Sequence, residues 1–155
     1  MIIPFRSHFN RRPTYFKEKI LASVLPGYRI LHQPKLHTIR RSSQYRPGQF
    51  LHMAYGVRTK KYEQFNRNIV GLEKCTGIQR FEIAWSEARH ENLSPSYTIP
   101  FDSRFARVWV DDRPLSFMRI EAVAMNDGFD STQDFLNWFS TDFQGEIVHW
   151  TDLKY

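Results

Sequence analysis

Apolar runs in this chain are short, and turn-forming residues interrupt them at close intervals. Pro26-Gly27, Pro47-Gly48, Asp111-Asp112-Arg113-Pro114 and Asn126-Asp127-Gly128 are the strongest stops. Between them the pattern alternates between strand and helix. Ile2-Ile3-Pro4-Phe5 reads as a first strand, kept at an edge by Pro4. Thr14 to Val24 reads as a helix behind Pro13, with Phe16, Ile20 and Val24 on one face. Gln49–Tyr55, Gly77–Trp85, Phe105–Val110 and Gly145–Thr151 read as further strands. Ser116 is placed to cap a helix through Met125, and Ser131-x-x-Asp134 forms a capping box ahead of Phe135, Leu136, Trp138 and Phe139. Helices and strands follow no regular βαβ rhythm. This order predicts an α+β domain spanning 1–155, with a curved or barrel-like sheet rather than a doubly wound parallel one.

Composition narrows the class. Of 155 residues, 41% are hydrophobic and 15% aromatic, which suits a folded globule of one domain. No apolar run approaches the roughly 18 residues of a membrane span, and no signal-peptide pattern follows Met1. Cys75 is the only cysteine, so no internal disulfide is available. A cytoplasmic setting and a small buried role for Cys75 are expected. Charge is divided along the chain. Residues 1–80 carry 16 Lys+Arg against 3 Asp+Glu, or +13, and residues 81–155 carry 6 against 13, or −7. A basic face is therefore expected, suited to a phosphate-bearing partner.

Three polar groups of different chemistry crowd into Lys35-x-x-Thr38-x-Arg40. In an extended segment Thr38 and Arg40 share a face, Leu36 and Ile39 can anchor the segment, and Lys35 can fold back over the polar face. Such a group can hold an anion, polarise a carbonyl or activate a hydroxyl. An acid must come from elsewhere. Asp127, in the turn before Gly128, is the first candidate and Glu121 the second. A turn aspartate with no further role is the alternative for Asp127. The histidines form neither HxH nor HExxH, which argues against zinc, and no cofactor-binding motif is present. Gly-rich phosphate loops and a GxSxG elbow are missing as well.

Lys35-x-x-Thr38-x-Arg40, Tyr45-x-Pro47-Gly48 opening a strand, and Glu121-x-x-Ala124-x-x-Asp127-Gly128-Phe129 before a terminal strand together resemble the ASCH domain of the PUA-like superfamily. The closing Gly145-Glu146-Ile147-Val148-His149-Trp150-Thr151-Asp152 is similar to bacterial and phage proteins of that group. The resemblance implies a PUA-like pseudo-barrel of mixed, mostly antiparallel strands with short peripheral helices. It also implies a cleft beside the Lys35–Arg40 segment that binds RNA or a nucleotide. One branch of the family hydrolyses N4-acetylcytidine with a lysine, a threonine and a glutamate. Its lysine and threonine fall on Lys35 and Thr38, and Asp127 stands near its glutamate.

Two functions follow as expectations. In the first, the chain binds single-stranded RNA, DNA or a nucleotide, with Lys35 and Arg40 meeting phosphate or a base carbonyl, Arg41 and Arg46 adding field and an aromatic stacking. Arg58, Lys60 and Lys61 would add backbone contacts beside Tyr62 and Phe65. In the second, it is an amidohydrolase acting on a modified nucleoside. Thr38 would be the nucleophile, Lys35 the base and Asp127 the group that positions the lysine or shuttles its proton. A protein-interaction domain using the acidic C-terminal half is the third alternative.

Overall fold

A computed structural model of the chain describes residues 1–41, 44–87, 94–101 and 103–155. It is a mixed α+β arrangement of several short strands and three short helices. The largest sheet is antiparallel throughout. Its members are β4 (His37–Arg40), β7 (Gly77–Ser86), β8 (Ile99–Phe101), β9 (Arg104–Val110), β10 (Arg113–Pro114) and β11 (Phe143–His149). They lie in the order β10-β9-β7-β11-β4, with β8 also on β9. A smaller sheet joins β1 (Ile2–Pro4), β5 (His52–Tyr55) and β6 (Glu63–Gln64), and there β1 and β5 run parallel. β2 (His8–Phe9) and β3 (Arg12–Pro13) form a separate hairpin. Ladder pairing does not run from one sheet into the next among the described residues, so it closes no barrel.

Two cores explain this layout. One packs Phe81, Ile83, Val108 and Ile147 against α2 (Phe117–Asn126) and α3 (Thr132–Trp138). The other packs Ile3, Phe5, Leu51, Met53 and Val148 against α1 (Phe16–Val24). Neighbouring residues of a strand point to opposite faces. Ile147 thus enters the first core and Val148 the second, and β11 is buried on both sides. β4 pairs with β11 in register Thr38↔Val148 and Ile39↔Ile147. Ile39 joins the first core, which turns Thr38 and Arg40 toward the side occupied by Phe5 and Phe16.

Several local expectations need revision. α1 begins at Phe16 rather than Thr14, because the Thr14 N–H and hydroxyl are tied to the carbonyls of Ser7 and Arg6. Ser116 precedes α2 in extended conformation, but its side chain caps nothing. Ser131 does cap α3: its oxygen accepts from the Asp134 N–H at 3.1 Å, and its hydroxyl donates to the Asp134 carboxylate at 2.9 Å. The polar connection expected over 87–102 contains a strand, β8, since Ile99 is buried and pairs with Ala106. Residues 88–93 and 102 of that connection lie outside the described residues. Cys75 is buried and forms no disulfide.

Candidate functional site

Lys35 is placed by backbone hydrogen bonds to two helices. Its N–H donates to the Lys19 carbonyl in α1, and the Leu36 N–H donates to the Asn126 carbonyl at the end of α2, both at 2.8 Å. The chain therefore enters β4 through the gap between α1 and the α2 terminus. At that gap Gly128 adopts φ +86°. Its N–H donates to the Met125 carbonyl at 2.9 Å, and the Phe129 N–H donates to the Ala124 carbonyl at 3.1 Å. This pair of bonds is a Schellman motif, with Asp127 as the capping residue. It brings both the carboxylate and the backbone carbonyl of Asp127 to Lys35.

The Lys35 ammonium donates to Asp127 Oδ1 at 2.5 Å and to the Asp127 carbonyl oxygen. The negative end of the α2 dipole favours a cation at the same spot. Lys35 is 1% exposed and Asp127 4%, so the ion pair is fully inside the protein. The ammonium also sits 4.8 Å from the centroid of the Phe16 ring. Burial pulls the Lys35 pKa down to about 8, against the opposing attraction of Asp127. Burial likewise pushes Asp127 up, opposed by Lys35 and Arg40.

Thr38 and Arg40 complete the polar wall of a cavity of about 320 Å³ that Lys35 and Asp127 also line. Phe5, Phe16, Phe129 and Trp138 form its apolar walls. The Arg40 guanidinium stacks on Phe5 at 4.9 Å, and its buried Nε has no hydrogen-bond partner among the described residues. No carboxylate pairs with Arg40 there, and burial lowers its pKa. The Thr38 hydroxyl makes no hydrogen bond among the described residues. Among the described residues the site thus offers a guanidinium with no carboxylate at ion-pair distance, a hydroxyl without a hydrogen-bond partner and a paired ammonium, all beside aromatic rings.

Behind the site, His37 points to the opposite face of β4. Its Nε2 lies 2.7 Å from the Tyr155 hydroxyl, which also accepts from the Asn126 amide at 2.9 Å. His37 Nδ1 is 3.8 Å from Asp127 Oδ1, too far for a hydrogen bond. Burial, reinforced by Lys35, lowers the His37 pKa well below its ordinary value.

The structure brings Lys35, Thr38, Arg40 and Asp127 together and leaves the other expected residues apart. Arg41 stacks on Phe143 at 5.2 Å and lines a different cavity with Arg80 and Glu82. Arg46 is exposed and donates to the Tyr45 carbonyl. Arg58, Lys60 and Lys61 are exposed on the loop after β5, while Phe65 tucks into the second core. Glu121 lies on the exposed side of α2. Arg41, Arg46, Arg58, Lys60 and Lys61 are therefore not part of the cavity lining. Residues that spacing did not single out include Arg6, Trp138 and Lys19. Lys19 offered one signal: it is a cation beside the Phe16–Ile20 stripe, and it is indeed buried.

Gly128 packs directly against the Lys35 stem. A Cβ there would lie 3.0 Å from Lys35 Cδ and 3.2 Å from its Cβ and Cγ. Gly128→Ala is expected to lose about 1–2 kcal/mol from its left-handed backbone alone. Crowding of the Lys35 stem adds to that loss. Urea denaturation checks the stability, and an unchanged midpoint would refute this account of the turn.

Among the described residues no group of three or more His, Cys, Asp or Glu side chains is gathered as a metal ion requires. No helix there is long and apolar enough to cross a membrane. Comparison of the chain with family models, curated proteins and solved structures finds no match.

Proposed function

We propose that this chain is an ASCH domain of the PUA-like kind, its sheets a variant of that pseudo-barrel, and that it binds a nucleotide or modified nucleoside in the Lys35–Arg40 cavity. One observation carries the proposal: Lys35, Thr38, Arg40 and Asp127 meet in a single aromatic-lined cavity. Aromatic walls suit a planar base, and Arg40 and the remaining Lys35 N–H are donors for its carbonyl oxygens or for an anion. A pocket of this size accepts a nucleoside-sized group, not a folded RNA. Single-stranded RNA or DNA would then engage by inserting one base. Isothermal titration with cytidine, N4-acetylcytidine and a short single strand tests the proposal. Micromolar to millimolar binding that Arg40→Met abolishes is expected, and absence of binding by all three overturns it.

A second reading, amidohydrolysis, is favoured by one feature: a lysine with pKa about 8 lines the same cavity as Thr38, whose hydroxyl has no hydrogen-bond partner among the described residues. Neutral Lys35 would take the Thr38 Oγ1 proton as Oγ1 attacks the acyl carbon. Arg40 would face the tetrahedral oxyanion, and the Lys35 proton would pass to the departing amine. Water, with Lys35 again the base, would release the carboxylic acid from the threonine ester. Binding ranks first because two acceptors of Asp127 hold Lys35 as an ammonium, a donor at neutral pH. Hydrolysis needs the neutral amine, so its rate should climb as pH rises to about 8 and level off above it. Chromatography of N4-acetylcytidine incubations decides this. No cytidine released, or release undiminished in Thr38→Val, rejects the hydrolytic route.

A further inference from the structure

A second cavity, of about 330 Å³, lies against the first. Phe16 and Phe129 line both, so the two cavities meet at these two aromatic rings. The β2–β3 hairpin covers the second cavity with Phe9, Asn10 and Arg12. The hairpin is anchored at the first cavity too: the Phe9 ring packs 4.8 Å from Trp138, and Arg6 stacks on the same indole at 5.2 Å. Its turn residues Asn10 and Arg11 have φ of 47° and 63°, the left-handed pair that a two-residue hairpin loop demands. The floor is equally defined, since buried Lys19 donates to the Gly128 carbonyl at 2.8 Å and to Asp130 Oδ1 at 2.5 Å.

The two chambers differ in charge. The first sets Arg6, Lys35 and Arg40 against Asp127 alone. The second sets Arg12 and Lys19 against Asp130 and Asp134, so its formal charges cancel. Carboxylates at a phosphate site repel the ligand, whereas carboxylate and amide oxygens accept from neutral hydroxyls. Asp130 is 79% exposed and keeps one oxygen beyond its bond to Lys19, and Asn10 adds an amide to the same lining.

We infer that the second cavity is the sugar subsite of the ligand: it takes the neutral, hydroxyl-bearing pentose of a nucleoside whose base lies in the first cavity. This assignment rests on the nucleoside-binding proposal above and sharpens it. The chain selects a nucleoside over a free base, and a terminal phosphate adds little.

Titration with three probes, N4-acetylcytosine, N4-acetylcytidine and N4-acetylcytidine 5′-monophosphate, tests the assignment. Two hydroxyl hydrogen bonds should make the nucleoside bind about tenfold or more tighter than the base. The monophosphate should match the nucleoside within about twofold if the phosphate stays in solvent. Asn10→Gly keeps the left-handed turn and, combined with Asp130→Ala, removes both hydroxyl acceptors, the Asn10 amide and the spare Asp130 oxygen. That double variant should erase most of the nucleoside preference while base affinity holds, which also reports an intact fold. Equal binding of base and nucleoside overturns this assignment alone. A preference unchanged in the double variant, or a monophosphate tenfold tighter than the nucleoside, does the same. Binding by none of the three overturns it together with the reading beneath it.

Discussion

Lys35→Met is expected to lower stability by about 3–5 kcal/mol, because it strands the Asp127 carboxylate in the interior without its counterion. The neighbouring Arg40 does not replace that contact, since only Lys35 donates to Asp127 Oδ1 among the described side chains. The loss should shrink as pH falls, because a neutral Asp127 acid needs no counterion. Burial already raises the Asp127 pKa, and removal of Lys35 raises it further. Lys35→Met combined with Asp127→Leu should recover most of the stability, since apolar groups replace the buried charges. Ligand binding should stay abolished in both variants. That contrast separates the structural role of the pair from its functional one. Urea denaturation at two pH values supplies the measurement, and a single variant as stable as the parent would refute the buried-pair account.

Acid is the second large effect. His149 is fully buried beside His37 and Tyr155, and neither of its ring nitrogens has a partner among the described residues. Burial lowers its pKa from 6.5 to about 4, with Lys154 adding to the shift and Asp111 opposing it. The unfolded chain therefore takes up a proton near pH 6.5 that the folded chain refuses until about pH 4. Stability present above pH 6.5 is lost as pH falls through that window, by about 3 kcal/mol for this group. His37 shifts in the same direction and adds to the loss. His149→Phe should leave stability at pH 7 unchanged or higher, because no hydrogen bond is broken. It should also flatten the acid slope by about one proton. An unaltered slope in denaturation midpoints from pH 7 to 4 would show that His149 is not the acid-sensitive group.

The legible parts of the site were the local ones. Alternation along Thr38-Ile39-Arg40 assigned the two polar residues to one face, and β4 obeys it because a strand has a period of two. Asn126-Asp127-Gly128-Phe129 announced a helix end, since glycine tolerates the left-handed conformation that closes a Schellman turn. Ser131 and Asp134 announced the next helix by the same kind of short-range chemistry. Ser116 looked alike in sequence and failed as a cap, so a capping residue type does not guarantee the bond.

What the chain's order alone determined, then, was an α+β domain of short elements, the polar face of β4 and the turn that carries Asp127. Tertiary structure decided the rest. Lys35 and Asp127 are 92 residues apart, and no periodicity links them. Their pairing exists because β4 enters between α1 and the end of α2, with hydrogen bonds to both helices. The same packing chose which cations count. Arg40 is turned into the cavity beside Phe5, while Arg41, one residue on, points across the strand to Phe143. Arg46, Arg58, Lys60 and Lys61 are exposed on loops and line no part of that cavity. Charge along a sequence adds up without regard to direction. A binding site depends on direction, and that is set by which faces the two cores bury.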